Sequence, residues 1–131
     1  STKSVVLMIK PTEAELEILR ILWLRGPLSV RVVNDVINES KDSGYTTTLK
    51  TMQIMTQKGL VARDESSRTH IYRALIGKDK VQTVLLDKLM DTAFGGSASQ
   101  LVLNALGRGS TPQKELEEIK ALIKKLEDGN Q

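Results

Sequence analysis

Cysteine is absent from this chain of 131 residues, and histidine occurs once. Without cysteine there is neither a disulfide nor a thiolate metal site. The lone His70 cannot supply the three or four protein ligands of a zinc site, nor complete a nucleophilic triad. It reads as a strand residue, and no metal or cofactor is expected. Long apolar runs are lacking as well. None approaches the roughly 20 residues of a membrane helix, and VVLMI at residues 5–9 is too short for the core of a signal peptide. A cytoplasmic protein is the default expectation. No internal repeat or low-complexity tract interrupts the chain. No nucleophile–base pair and no phosphate-cradling glycine loop is visible, so an enzyme is not expected.

What is present is a soluble globular composition, 40% hydrophobic and 27% charged, with a net charge of +3 that is unevenly spread. Residues 1–77 hold eleven Lys/Arg against eight Asp/Glu, whereas residues 78–131 hold eight of each. Residues 45–76 alone carry five basic and two acidic side chains. A local excess of this kind is the minimum that a phosphate-binding surface requires.

Local signals divide the first part into three helices and a hairpin. In PTEAELEILRILWLRG, Thr12 and Glu15 have the spacing of a reciprocal cap, and Leu16, Ile18, Leu19, Leu22 and Trp23 form one apolar face before Gly26-Pro27. In SVRVVNDVINES, Ser29 caps a helix whose buried face is Val33, Val36 and Ile37. After the loop SKDSG, a third helix runs from about Thr46 to Lys58 and stops at Gly59. Leu49, Met52, Met55 and Thr56 share its inner face; Thr47, Lys50, Thr51, Ile54 and Lys58 share the outer one. LVARDE and THIYRAL then alternate as strands around the turn SSR.

From Lys78 the chain becomes leucine-rich and helical. DKVQTVLLDKLMDTAF carries Val81, Val84, Leu85 and Leu89 at helical spacing and breaks at Gly95-Gly96. SASQLVLNALG is a short helix closed by Gly107. A last helix begins with Pro112 in its first turn. There Leu116, Ile119, Ile123 and Leu126 are spaced three, four and three apart, the a and d positions of two heptads.

Three helices followed by a hairpin is the order of a winged helix, in which the third helix enters the major groove and the hairpin is the wing. The fold class predicted is therefore mainly α with a small β-hairpin. It comprises a winged helix-turn-helix DNA-binding domain at 10–77 and a helical dimerisation region at 78–131. Candidate DNA contacts are Tyr45, Thr46, Thr47, Lys50, Thr51, Ile54, Arg68 and Thr69. Threonine hydroxyls at a helix start can bond phosphate, a threonine methyl or Ile54 can pack on a thymine methyl, and Lys50 can reach a guanine edge or a phosphate. Simple capping with solvent exposure explains the threonines equally well. Tyr45 is either a packing residue or a phosphate-bonding hydroxyl. Arg63 and Arg73 can instead pair with Asp64 or Glu65. Val84, Leu85, Leu89, Leu116, Ile119, Ile123 and Leu126 are candidates for a homodimer interface, and two-fold symmetry suits a palindromic operator. A winged helix used only for protein–protein contacts is the competing reading.

PTEAELEILRILW, YTTTLKTMQIMTQKGLV and SRTHIYRAL, followed by three C-terminal helices including LVLNAL, resemble the penicillinase repressor family. That family includes the methicillin-resistance regulators and the copper-responsive repressors. The resemblance covers Lys10 to about Leu126. It implies a homodimeric transcriptional repressor on an inverted-repeat double-stranded DNA operator, with an antibiotic-response gene as a candidate target. It places contacts at Thr46, Thr47, Lys50, Thr51 and Arg68. Members released by a β-lactam sensor protease are cut within an Asn-Phe pair of the fifth helix. Asn104 and Ala105 stand there, so the position is kept and the aromatic lost; such a protease is a candidate partner. Copper-responsive members carry paired C-terminal cysteines, which this chain lacks.

Overall fold

Thr12 opens the first helix as its spacing to Glu15 predicts. The Glu15 N–H donates to Thr12 Oγ1 at 3.2 Å and the Thr12 N–H donates to Glu15 Oε1 at 2.8 Å, so two otherwise orphaned donors are satisfied reciprocally. The computed structural model describes residues 10–129; the VVLMI stretch lies outside them. Helix α1 spans Glu13–Arg25 and ends at Gly26, whose N–H returns to the Leu22 carbonyl. Ser29 caps α2 (Val30–Ile37) by accepting the Val32 N–H. The buried face of α2 differs from the predicted one: Val30, Val33 and Ile37 are buried, while Val36 is only half-buried.

Helix α3 spans Tyr45–Lys58. Met52 and Met55 are fully buried and Leu49 packs against the same core, as the 3–4 spacing predicts. Gly59 ends the helix at φ 81°, the left-handed conformation that a Cβ disfavours. Strands β1 (Val61–Asp64) and β2 (Ile71–Ala74) pair antiparallel, with Val61 opposite Ala74 and Asp64 opposite Ile71. The connecting loop is therefore residues 65–70, wider than the predicted turn SSR. Leu28 adds a further rung that the sequence did not announce. Its N–H donates to the Tyr72 carbonyl at 3.0 Å, and its carbonyl accepts the Tyr72 N–H at 2.8 Å. This rung fastens β2 to the start of α2.

Helices α4 (Lys78–Ala93), α5 (Ala98–Gly107) and α6 (Gln113–Gly129) complete the chain. Gly95 and Gly96, both at positive φ, separate α4 from α5 as predicted. Pro112 stands just before α6 and not inside its first turn. The fold is thus mainly α with one hairpin, a winged helix-turn-helix in which α2 and α3 are the helix pair.

The described residues divide into two compact units, the first ending at Leu86 and the second beginning at Asp87. The core belongs to the first. Ile18, Leu19 and Leu22 of α1, Val33 of α2, Met52 and Met55 of α3, Leu60, Val61 and Tyr72 at the hairpin, and Val81 and Val84 of α4 form one cluster. The Trp23 indole N–H donates to the Ile76 carbonyl at 2.9 Å, tying α1 to the exit of the hairpin. In the second unit no described residue is buried.

Candidate nucleic-acid interface

The angle between α2 and α3 is held by polar contacts. Thr48 Oγ1 donates to Asn34 Oδ1 at 2.6 Å, and both residues are buried. Around the turn, the Asn38 amide donates to the carbonyls of Asn34 and Ser43 and accepts the Ser43 N–H at 2.7 Å. A buried hydroxyl–amide bond tolerates only a narrow geometry, because a displaced partner leaves a desolvated polar group unpaired. The consecutive threonines therefore do different work: Thr48 faces inward to set the helix pair, while Thr46 and Thr47 are exposed.

The N-cap of α3 is Gly44, and no side chain caps it. Capping thus does not explain the threonines, which lie inside the first turn, and the backbone N–H groups there remain available to an anion. Thr46, Thr47, Lys50 and Ile54 are exposed along the outer face, Ile54 at 40%. Thr51 is half-buried and its hydroxyl donates to the Thr47 carbonyl at 3.0 Å. Lys58, expected on the outer face, instead bonds Glu15 at 2.8 Å across the start of α1. The intervening turns of the helix bring in two residues missed by sequence reasoning. Gln53 and Gln57 are exposed three and seven residues beyond Lys50, the same spacing that defined the face. A glutamine amide there can bond the N6 and N7 edge of adenine.

Tyr45 is the first residue of α3, 43% exposed, with the Arg31 guanidinium 5.3 Å from its ring centroid. It packs against a cation on its face, a role the sequence reading did not contain. On the hairpin, Ser66 N–H donates to Asp64 Oδ1 and Ser67 Oγ to the Thr69 carbonyl, each at 2.9 Å. The Ser66 N–H bond holds the Asp64 carboxyl below its usual pKa. Arg68, Thr69 and His70 are exposed at the tip. Arg63 pairs with Glu65, as its neighbours suggested.

Among the described residues, Lys41, Lys58, Arg25 and Arg63 have carboxylate partners within 4.0 Å, whereas Arg31, Lys50 and Arg68 have none. The unpaired cations of α2, α3 and the hairpin are the ones a phosphate backbone can engage without breaking an ion pair. Among the described residues no cluster of metal-ligating side chains occurs, and no helix is long and apolar enough to cross a membrane.

Of the residues expected at a subunit contact, Val84 is buried at 3% exposure and Leu85 packs against the same core. Both therefore serve the first unit. Leu89, Ile123 and Leu126 are exposed, and Leu116 and Ile119 are half-buried. Asn104 and Ala105 lie exposed inside α5, where the Asn104 amide donates to the Gln100 carbonyl at 2.8 Å.

The sequence pattern described as penicillinase repressor matches residues 11–125. The chain belongs to the penicillinase repressor family. Among its relatives, the methicillin resistance regulatory protein MecI of Staphylococcus aureus (strain N315) is 22% identical over 114 residues, covering 87% of this chain and 93% of MecI. The transcriptional regulator BlaI of Mycobacterium tuberculosis (strain ATCC 25618 / H37Rv) is 27% identical over 111 residues, 83% of this chain and 79% of BlaI. Among solved structures, HlyU from Vibrio cholerae N16961 aligns at a TM-score of 0.48 and 20% identity, covering 67% of this chain and 90% of HlyU. Membership of the penicillinase repressor family makes the chain a transcriptional repressor by type, a regulatory and not an enzymatic role. The resemblance drawn from its motifs holds along nearly its full span.

Proposed function

We propose that this penicillinase repressor-family chain is a cytoplasmic homodimer that binds an inverted-repeat DNA operator, with residues 10–77 reading DNA and the exposed apolar positions of residues 78–131 joining the subunits. The observation that carries the DNA part is the outer face of α3. Its first turn has no side-chain cap, and Thr46, Thr47, Lys50 and Ile54 are exposed beside it with Lys50 free of any carboxylate among the described residues. Such a face offers hydrogen bonds and positive charge to phosphates, together with methyl groups for thymine. Arg68 and Thr69 extend the reach to the flanking backbone.

The dimer part rests on apolar exposure. Leu103 is 68% exposed and Leu126 57%, and Leu89, Leu122 and Ile123 are exposed as well. A second copy would remove this surface from water, and a two-fold axis would place two α3 helices on successive half-sites. The relatives named as regulators of methicillin resistance and as BlaI support an antibiotic-response gene as target. A sensor protease acting at Asn104–Ala105 is the corresponding partner for release.

The test is selection from random duplex DNA, followed by sequencing of the retained pool. Recovery of an inverted repeat is the expected outcome. Retention without sequence preference, or none at all, would move the winged helix towards protein contacts.

A further inference from the structure

Between the hairpin and the N-terminal ends of α2 and α3 lies an open groove of about 330 Å3. Its polar lining is Ser29 and Arg31 from the start of α2, Tyr45 from α3, and Arg68, Thr69 and His70 from the hairpin. Among the described residues no carboxylate lines it. The Leu28–Tyr72 rung holds β2 against the start of α2, so both sides of the groove are built on paired backbone. Within it, the Tyr45 ring lies against the Arg31 guanidinium. A ring in this position fixes the plane of the cation and leaves its N–H edges to donate.

We infer that this groove clasps one backbone phosphate of the DNA, with Arg31, held on Tyr45, as its main partner and His70 as a second donor. The inference rests on the DNA-binding reading and adds Arg31 and His70 to its contacts. Neither residue belongs to the outer face of α3, so the clasp fixes register and strengthens binding without reading bases. Tyr45 acts as a positioning residue for Arg31.

The test uses the chain of 131 residues and operator duplexes in which single phosphates are replaced by neutral methylphosphonates. One flanking position is expected to weaken wild-type binding and to leave Arg31→Ala unaffected, since the partner is already gone. Arg31→Ala should also lower the slope of log affinity against log salt by about one per subunit. It should do so equally on operator and on unrelated duplex. Tyr45→Leu should reproduce part of this loss, and Tyr45→Phe, which keeps the ring, should not. Arg31 and Tyr45 are both exposed, and an unchanged melting temperature checks that the variants fold.

If Arg31→Ala keeps the wild-type slope and the same sensitivity at every phosphate while Lys50→Ala still loses operator affinity, the clasp is wrong and the DNA reading stands. If the wild-type chain binds no duplex, both fall. Saturable binding of inorganic phosphate alone at Arg31, with DNA affinity unaltered by its removal, would assign the groove to a free anion and overturn the clasp.

Discussion

The Lys58 ammonium lies 2.8 Å from Oε1 of Glu15, joining the last turn of α3 to the first turn of α1 across 43 residues of sequence. Glu15 is 2% exposed. Burial pushes its carboxyl pKa up, but the bonds from Lys58 and Thr12 outweigh that and hold it below its ordinary value. One carboxylate therefore closes the cap of α1 and anchors α3 at its C-terminal end.

Replacing Lys58 with methionine should cost about 1.5–3 kcal/mol of stability, the range for losing a hydrogen bond to a charged group. Denaturant unfolding measures it. Glu15→Gln should lose stability at neutral pH by the same route. Because the folded-state pKa of Glu15 is depressed, its contribution is present above the unfolded value of about 4.3 and is lost as pH falls through the folded value. The wild-type chain should accordingly shed stability on acidification below about pH 4.3, and Glu15→Gln should show a flatter acid limb. Parallel acid limbs would mean that Lys58 does not hold the carboxylate in solution.

Thr48→Val keeps the shape of the side chain and removes the hydroxyl that donates to Asn34 Oδ1. A loss of roughly 1–3 kcal/mol is expected from the stranded amide. Combining it with Asn34→Leu should cost less than the sum of the two single changes, since no polar group is then left unpaired. Operator affinity should fall along with stability, because this bond sets how α3 is presented.

Lys50→Ala and Arg68→Ala should behave differently in binding assays. The loss at Lys50, on the outer face of α3, should be larger on operator than on unrelated duplex. Arg68→Ala should weaken both alike and reduce the salt slope by about one per subunit. An unchanged slope would return Arg68 to an ordinary solvated turn.

If the chain dimerises as proposed, placing aspartate at both Ile123 and Leu126 should leave it monomeric in sedimentation measurements at micromolar concentration. Like charges on a desolvated contact oppose association. Val84→Ala is the contrasting case: its side chain is buried in the first unit, so it should lower the melting temperature and leave the monomer–dimer constant of the folded chain unchanged.

The sequence by itself determined whatever depends on neighbours three or four residues apart. The reciprocal cap of Thr12 and Glu15, the Ser29 cap, the Gly59 and Gly95-Gly96 breaks and the inner face of α3 are all set by local backbone geometry and helical period. So is the order of three helices and a hairpin, which carries the fold. Exposure of Thr46, Thr47, Lys50, Ile54 and Arg68 was legible for the same reason. Only the tertiary structure decided which polar groups meet across the fold. It turned Lys58 from the outer face to Glu15, drew Thr48 inward to Asn34, set Arg31 on Tyr45 and paired Leu28 with Tyr72. It also took Val84, expected at a subunit contact, into the core of the first unit. A helical repeat states that a face is apolar, but what covers that face is settled by packing between segments distant in the chain.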